Sequence, residues 1–138
     1  MNSTASSALP TGFRQIDDHL LGGGLVPSAL YYIAAQTSMG KTSLGLDIAA
    51  NIGSTGHRTY IVSREMSRES LFDRLVAYES NVHRWKIRPG IWERDYKEIV
   101  KAVLRLSARP MILDDVSTSL ADIRGYLTGE FGDTTFKM

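Results

Sequence analysis

Gly40, Lys41 and Thr42 stand together, and Ala35 lies five positions ahead of Gly40. This is the spacing G-x-x-x-x-G-K-S/T with alanine in the first place, and the chemistry it suits is the holding of a polyphosphate. Backbone N–H groups of Ser38, Met39, Gly40, Lys41 and Thr42 are expected to wrap a β-phosphate, with Thr37 and Ser43 flanking them at the positive end of a helix. Gly40 lets the backbone approach a phosphate with no Cβ in the way. Lys41 supplies a mobile cation for the β- and γ-phosphates, and the Thr42 hydroxyl is placed to ligate Mg²⁺. Ala35 fits the first position only with a negative φ.

A loop of this kind needs a strand before it and a helix after it. Leu30-Tyr31-Tyr32-Ile33-Ala34 is a short apolar run of the aromatic and β-branched types that form buried strands. Leu44, Ile48 and Ile52 recur at steps of four with Ala49 beside them, which predicts a helix face. Gly53 and Gly56 break that helix, and Thr59-Tyr60-Ile61-Val62 reads as the next strand. Strand, helix, strand gives a parallel unit that binds ligands at its carboxyl edge. Glu65 falls at that edge. A carboxylate there can orient or deprotonate the water that attacks a γ-phosphate, or it can serve as a salt-bridge partner for Arg64 or Arg68.

Composition narrows the class. At 138 residues the chain makes at most one domain, large enough for a core and short for a complete motor. A net charge of +1 carries no global signal for nucleic acid, so any such contact must be a local patch. The absence of cysteine excludes disulfides and thiolate metal sites and suits a reducing cytoplasm. No apolar run approaches the roughly 18 residues a membrane span requires. Residues 1–10, rich in serine, read as a flexible lead-in, and residues 11–138 as the domain.

Phe13, Ile16 and Leu20 predict a short helix ended by Gly22-Gly23-Gly24. Ser67 reads as an N-cap with Glu69 in the first turn, and Leu71, Leu75 and Val76 as the buried side of the helix that follows. His83-Arg84-Trp85-Lys86 with Arg88, Pro89 and Gly90 is either a basic, aromatic contact for nucleic acid or a loop whose Trp packs inward. Trp92, Tyr96, Ile99, Val100 and Val103 keep a helical period up to Leu106. Pro110-Met111-Ile112-Leu113-Asp114-Asp115 is the next strand. Ser119 to Asp122 resembles a capping box, and Leu120, Ile123 and Leu127 predict the buried side of a last helix. The histidines show no ligand spacing, so no metal is assigned to them.

Taken together these motifs resemble the RecA-like motor domain of the DnaB-type hexameric replicative DNA helicases. The resemblance runs from about Thr11 to Glu130. Thr11-Gly12-Phe13 with Asp17 and the glycine triplet is similar to the family's opening segment, and Ser38-Met39-Gly40-Lys41-Thr42 to its phosphate loop. Ser63-Arg64-Glu65-Met66 is similar to its second motif, usually Ser-Leu-Glu-Met. The resemblance implies a RecA-like α/β fold of the P-loop NTPase type, a parallel sheet flanked by helices. It implies ATP and Mg²⁺ as ligands, Glu65 as the catalytic carboxylate and Lys41 as its partner on the phosphates. The implied setting is a homo-hexamer on single-stranded DNA, with primase and a helicase loader as partners, in the cytoplasm of a bacterial or phage-infected cell. Gln36-Thr37 in place of Arg-Pro, and Arg64 in place of Leu, are departures that remove no phosphate-binding group.

Asp114 has two readings. Locally, Met111-Ile112-Leu113-Asp114 is an apolar strand ending in an acid suited to Mg²⁺. The resemblance instead places this Asp-Asp strand ahead of the metal-binding one and makes Asp114 and Asp115 structural. On the second reading the 138 residues are an incomplete motor, lacking later motifs and an arginine finger. Other expectations are a different RecA-like ATPase, recombinase-like or clock-protein-like, and a non-catalytic nucleotide-binding fragment.

Overall fold

A computed structural model describes residues 8–20, 23–87 and 93–129. Most of the expected lead-in, Gly22, Arg88 to Trp92 and the end of the chain lie outside the described residues. Helix α1 (Arg14–His19) opens the fold, followed by α2 (Lys41–Ser54), strand β1 (Thr59–Val62) and α3 (Arg68–Ser80). A single 3₁₀ turn (Arg84–Lys86), α4 (Glu93–Ser107), β2 (Met111–Asp114) and α5 (Leu120–Thr128) complete it. The two strands run parallel with Thr59 opposite Met111 and Val62 opposite Asp114, so both carboxyl ends reach the same edge. Helices flank this parallel pair, and the class is α/β.

Local chemistry explains most boundaries. Ser67 caps α3 by accepting the Ser70 N–H, and Ser119 and Asp122 form a reciprocal capping box on α5. Asn81 at φ +55° ends α3, as its short polar side chain permits. Leu46 and Ala50 of α2, Leu71, Leu75 and Val76 of α3, Ile99 and Leu106 of α4 and Met111 of β2 form the core, closed by Val82. Helix α2 approaches β2 closely at Gly53, where an added Cβ would stand 3.0 Å from the Met111 side chain. The buried face of α2 is therefore Leu46, Ala50, Ile52 and Gly53, rotated from the Leu44–Ile48 line expected from periodicity.

The opening segment is tied down by Thr11. Its N–H and hydroxyl both donate to Asp17, and its carbonyl accepts from Asn51 of α2. Leu9, assigned to the lead-in from sequence, is paired. It exchanges two backbone hydrogen bonds of 2.8 Å with Leu25, so the described fold includes a residue ahead of Thr11.

Two expectations are corrected. Leu30–Ala34 is not a strand: Leu30 is 76% and Tyr32 86% exposed, and no described strand lies beside them to complete a ladder. The apolar side of α5 is open rather than buried, with Leu120 85% and Leu127 68% exposed. Among the described residues each strand also keeps one unpaired edge. Such surface seeks partners. The isolated chain is expected to self-associate at micromolar concentration, and Leu30→Ser/Tyr32→Ser/Leu127→Ser to shift it toward monomer. Sedimentation showing a stable monomer of the unmodified chain at high concentration would refute this.

Candidate nucleotide site

Helix α2 begins at Lys41, directly after the loop, and its N-terminus differs from those of α3 and α5. Gly40 is its N-cap at φ +87°, no side chain caps it, and its first turn holds no acid. Helices α3 and α5 each have a serine cap and an acidic residue there. The first N–H groups of α2 are thus left for an outside acceptor, at the end where the helix dipole favours an anion. Ser38 at φ +65° and Gly40 turn the chain into the left-handed region. Ala35 is not among the residues of positive φ, as its Cβ requires.

Lys41 closes the loop on itself. Its Nζ donates to the Ala35 carbonyl at 2.8 Å and to the Gln36 carbonyl at 3.1 Å, joining the end of the loop to its start. An ammonium has three donors, so one remains for a phosphate oxygen. Thr42 is exposed beside it, and Ser43 turns inward, where its hydroxyl accepts from Arg74 of α3 at 3.2 Å. Arg74, which sequence reasoning did not single out, is a cation packed behind the phosphate-binding turn. These residues fit a nucleotide triphosphate and its Mg²⁺: free N–H donors, a tethered lysine and an exposed threonine hydroxyl. Residues 37–42 are all solvent-accessible, as a ligand for them must be able to enter.

Glu65 lies past the end of β1, exposed, at the edge shared by the two strands. Its two arginine neighbours are engaged elsewhere: Arg64 donates to the Ser117 carbonyl at 3.0 Å, and Arg68 meets Glu69 at 3.4 Å.

Asp114, at the same edge, is buried. Its Oδ1 accepts the N–H groups of Val116 and Ser117 at 2.8 and 2.9 Å, and its Oδ2 accepts the Tyr60 hydroxyl. Burial pushes this carboxyl's pKa up, but the hydrogen bonds from Ser117, Tyr60 and Val116 outweigh it and hold the value at about 2, against the ordinary 3.8. A depressed carboxylate pKa adds stability above the unfolded value, and that stability is lost as pH falls through the folded value. Between pH 4 and pH 2 the protein should therefore lose about 2 kcal/mol through this group. Urea unfolding at pH 5 and at pH 2 checks it: Asp114→Asn should be less stable at pH 5 and show a flatter acid limb. An equal acid loss in both proteins would remove Asp114 as the cause.

The basic stretch is also resolved in part. Trp85 does not pack inward; it is 66% exposed, with the Lys86 ammonium 5.7 Å from its ring centre. Arg84 and Lys86 are taken up by Ser70 and Asp95. Among the described residues no cluster of acids and histidines is suited to a metal, and no helix is long and apolar enough to cross a membrane.

A parallel α/β unit with an uncapped helix behind a lysine-tethered loop has the architecture of the phosphate-loop class. Residues 8–128 match the DnaB-like helicase C terminal domain, and the chain belongs to that family. It is 36% identical over 116 residues to the replicative DNA helicase DnaB of Synechocystis sp., an alignment covering 83% of this chain and 13% of that protein. With the DnaB replicative helicase of Geobacillus stearothermophilus it shares 33% over 121 residues, covering 86% of this chain and 26% of the relative. A solved structure of a DnaB-like replicative helicase, described with its interactions with primase, superposes with a TM-score of 0.80 at 22% identity, over 94% of this chain and 32% of the other. The fold is thus that of the DnaB-like helicase C-terminal domain, and the chain spans only 13% and 26% of the length of these two curated relatives.

Proposed function

We propose that this chain is the nucleotide-binding part of an ATP-driven DNA helicase motor, with residues 11–138 as a partial RecA-like domain. The observation that carries this reading is the uncapped start of α2, with Lys41 tethered to the Ala35 and Gln36 carbonyls. Thr37 to Ser43 hold the ATP phosphates. Thr42 would ligate Mg²⁺, and the ion when bound would supply positive charge against the phosphates. Glu65 accepts a proton from, or orients, the attacking water. Asp114 is structural on this reading, because both its oxygens already accept hydrogen bonds from Tyr60, Val116 and Ser117. The same reading carries a cytoplasmic setting, a homo-hexamer on single-stranded DNA, and contacts with primase and a loader; the solved DnaB-like helicase described with its interactions with primase supports the primase contact.

The test is ATP hydrolysis by the chain with and without single-stranded DNA, beside titration of a fluorescent ATP analogue. Analogue binding that requires Mg²⁺ and hydrolysis that rises with DNA support the reading; failure to bind any nucleotide overturns it. A second reading, a fragment that binds nucleotide without turning it over, is favoured by the exposed Leu30–Ile33 segment feeding the loop. Binding without hydrolysis would select it.

A further inference from the structure

Glu65 sits on a short connection between β1 and α3, and that connection is fastened from outside. The Ser63 N–H donates to the Asp114 carbonyl at 2.8 Å, and Arg64 Nη1 to the Ser117 carbonyl at 3.0 Å. The Arg68 N–H donates to Asp115 Oδ2 at 2.9 Å, and the Met66 N–H to Ser63 Oγ at 3.0 Å. One of these four bonds reaches the last residue of β2, and two cross to the turn that follows it. That turn is itself built by Asp114, whose buried carboxylate gathers the Val116 and Ser117 N–H groups. Adjacent aspartates thus have opposite tasks: Asp114 faces inward and shapes the turn, while Asp115 faces outward and takes an orphan N–H from the first turn of α3.

We propose that Arg64 and Asp115 are positioning residues for Glu65, clamping its segment against the turn after β2 from both sides. The proposal rests on reading Glu65 as the carboxylate that handles water. A base must come within hydrogen-bond reach of the proton it takes, and a misplacement of about 1 Å can cost about a hundredfold in rate. A connection anchored only at its ends would let Glu65 wander over such distances. The cationic donor of Arg64 makes a stronger bond than a neutral one.

Amide hydrogen exchange on the full chain tests this. Arg64→Leu and Asp115→Ala should each speed exchange at Met66 and Arg68 by about fivefold to tenfold, the worth of one lost hydrogen bond. Asp115→Asn keeps a side-chain carbonyl acceptor and should restore most of the protection, and Arg64→Lys part of it. Affinity for a fluorescent ATP analogue should stay within about twofold throughout, because neither side chain reaches the phosphate loop. In ATP hydrolysis kcat should fall about tenfold with KM unchanged. Unchanged exchange in both disruptive variants overturns the clamp, as does loss of protection spread evenly over β1 and α3, or a raised KM with kcat intact. If the chain binds nucleotide without turnover, exchange and conservative rescue decide. Failure of the underlying reading looks different: Glu65→Gln would then keep the turnover of the unsubstituted chain, whatever exchange shows.

Discussion

Glu65→Gln is expected to bind nucleotide within about twofold of the unsubstituted chain and to hydrolyse it at least about a hundredfold more slowly, the usual worth of a positioned general base. Glutamine keeps the size and an acceptor oxygen but cannot take a proton. The sequence left Glu65 divided between water activation and an ion pair with Arg64 or Arg68. The structure gives Arg64 to Ser117 and Arg68 to Glu69, which leaves its carboxylate facing solvent at the edge where both strands end. Steady-state hydrolysis paired with analogue titration measures both halves. Retained turnover would move the catalytic role elsewhere, and a parallel loss of affinity would make Glu65 a binding residue.

Lys41→Ala should weaken nucleotide binding by at least about a hundredfold, roughly 2.7 kcal/mol. Two effects combine. The phosphates lose their cation, and the loop loses the two hydrogen bonds that join Lys41 to the carbonyls of Ala35 and Gln36. Arginine should not rescue, because a planar guanidinium cannot reproduce the compact ammonium between two carbonyls and a phosphate. Thermal unfolding should hardly change, since the core face of α2 is Leu46, Ala50, Ile52 and Gly53, well removed from Lys41. A Lys41→Ala protein with undiminished affinity would refute the site.

What could be read in the sequence was what depends on near neighbours. Thr59–Val62 and Met111–Asp114 are strands as their residue types predict, and the Ser67 and Ser119 caps form where the spacing put them. The helix after the loop starts at Lys41, because Gly40 turns the chain and leaves the next residues helical. Leu30–Ala34 shows the limit: a strand needs a neighbour, and no periodicity reveals whether one is there. Leu120 and Leu127 have helical spacing but nothing described lies over them. Arg74 against Ser43, Asn51 against Thr11 and Arg64 against Ser117 were not legible either. Those partners lie 31, 40 and 53 positions apart, and only the folded chain brings them together. Asp114 was ambiguous for a related reason. An acid at the end of a strand looks the same whether it awaits a metal or accepts N–H groups from the turn it begins.

The exposed stretch Leu30–Ile33 runs within two residues of Ala35, whose carbonyl receives Lys41. Whatever pairs with that stretch and whatever fills the loop therefore act on the same few dihedral angles. Thermodynamic linkage would make the two reciprocal: if a partner strand that stiffens residues 30–34 tightens nucleotide binding, nucleotide tightens the partner by the same factor. Slower amide exchange at residues 30–34 on addition of nucleotide would be the direct sign of it. Assembly of the sheet and occupancy of the phosphate loop then become two readouts of one equilibrium.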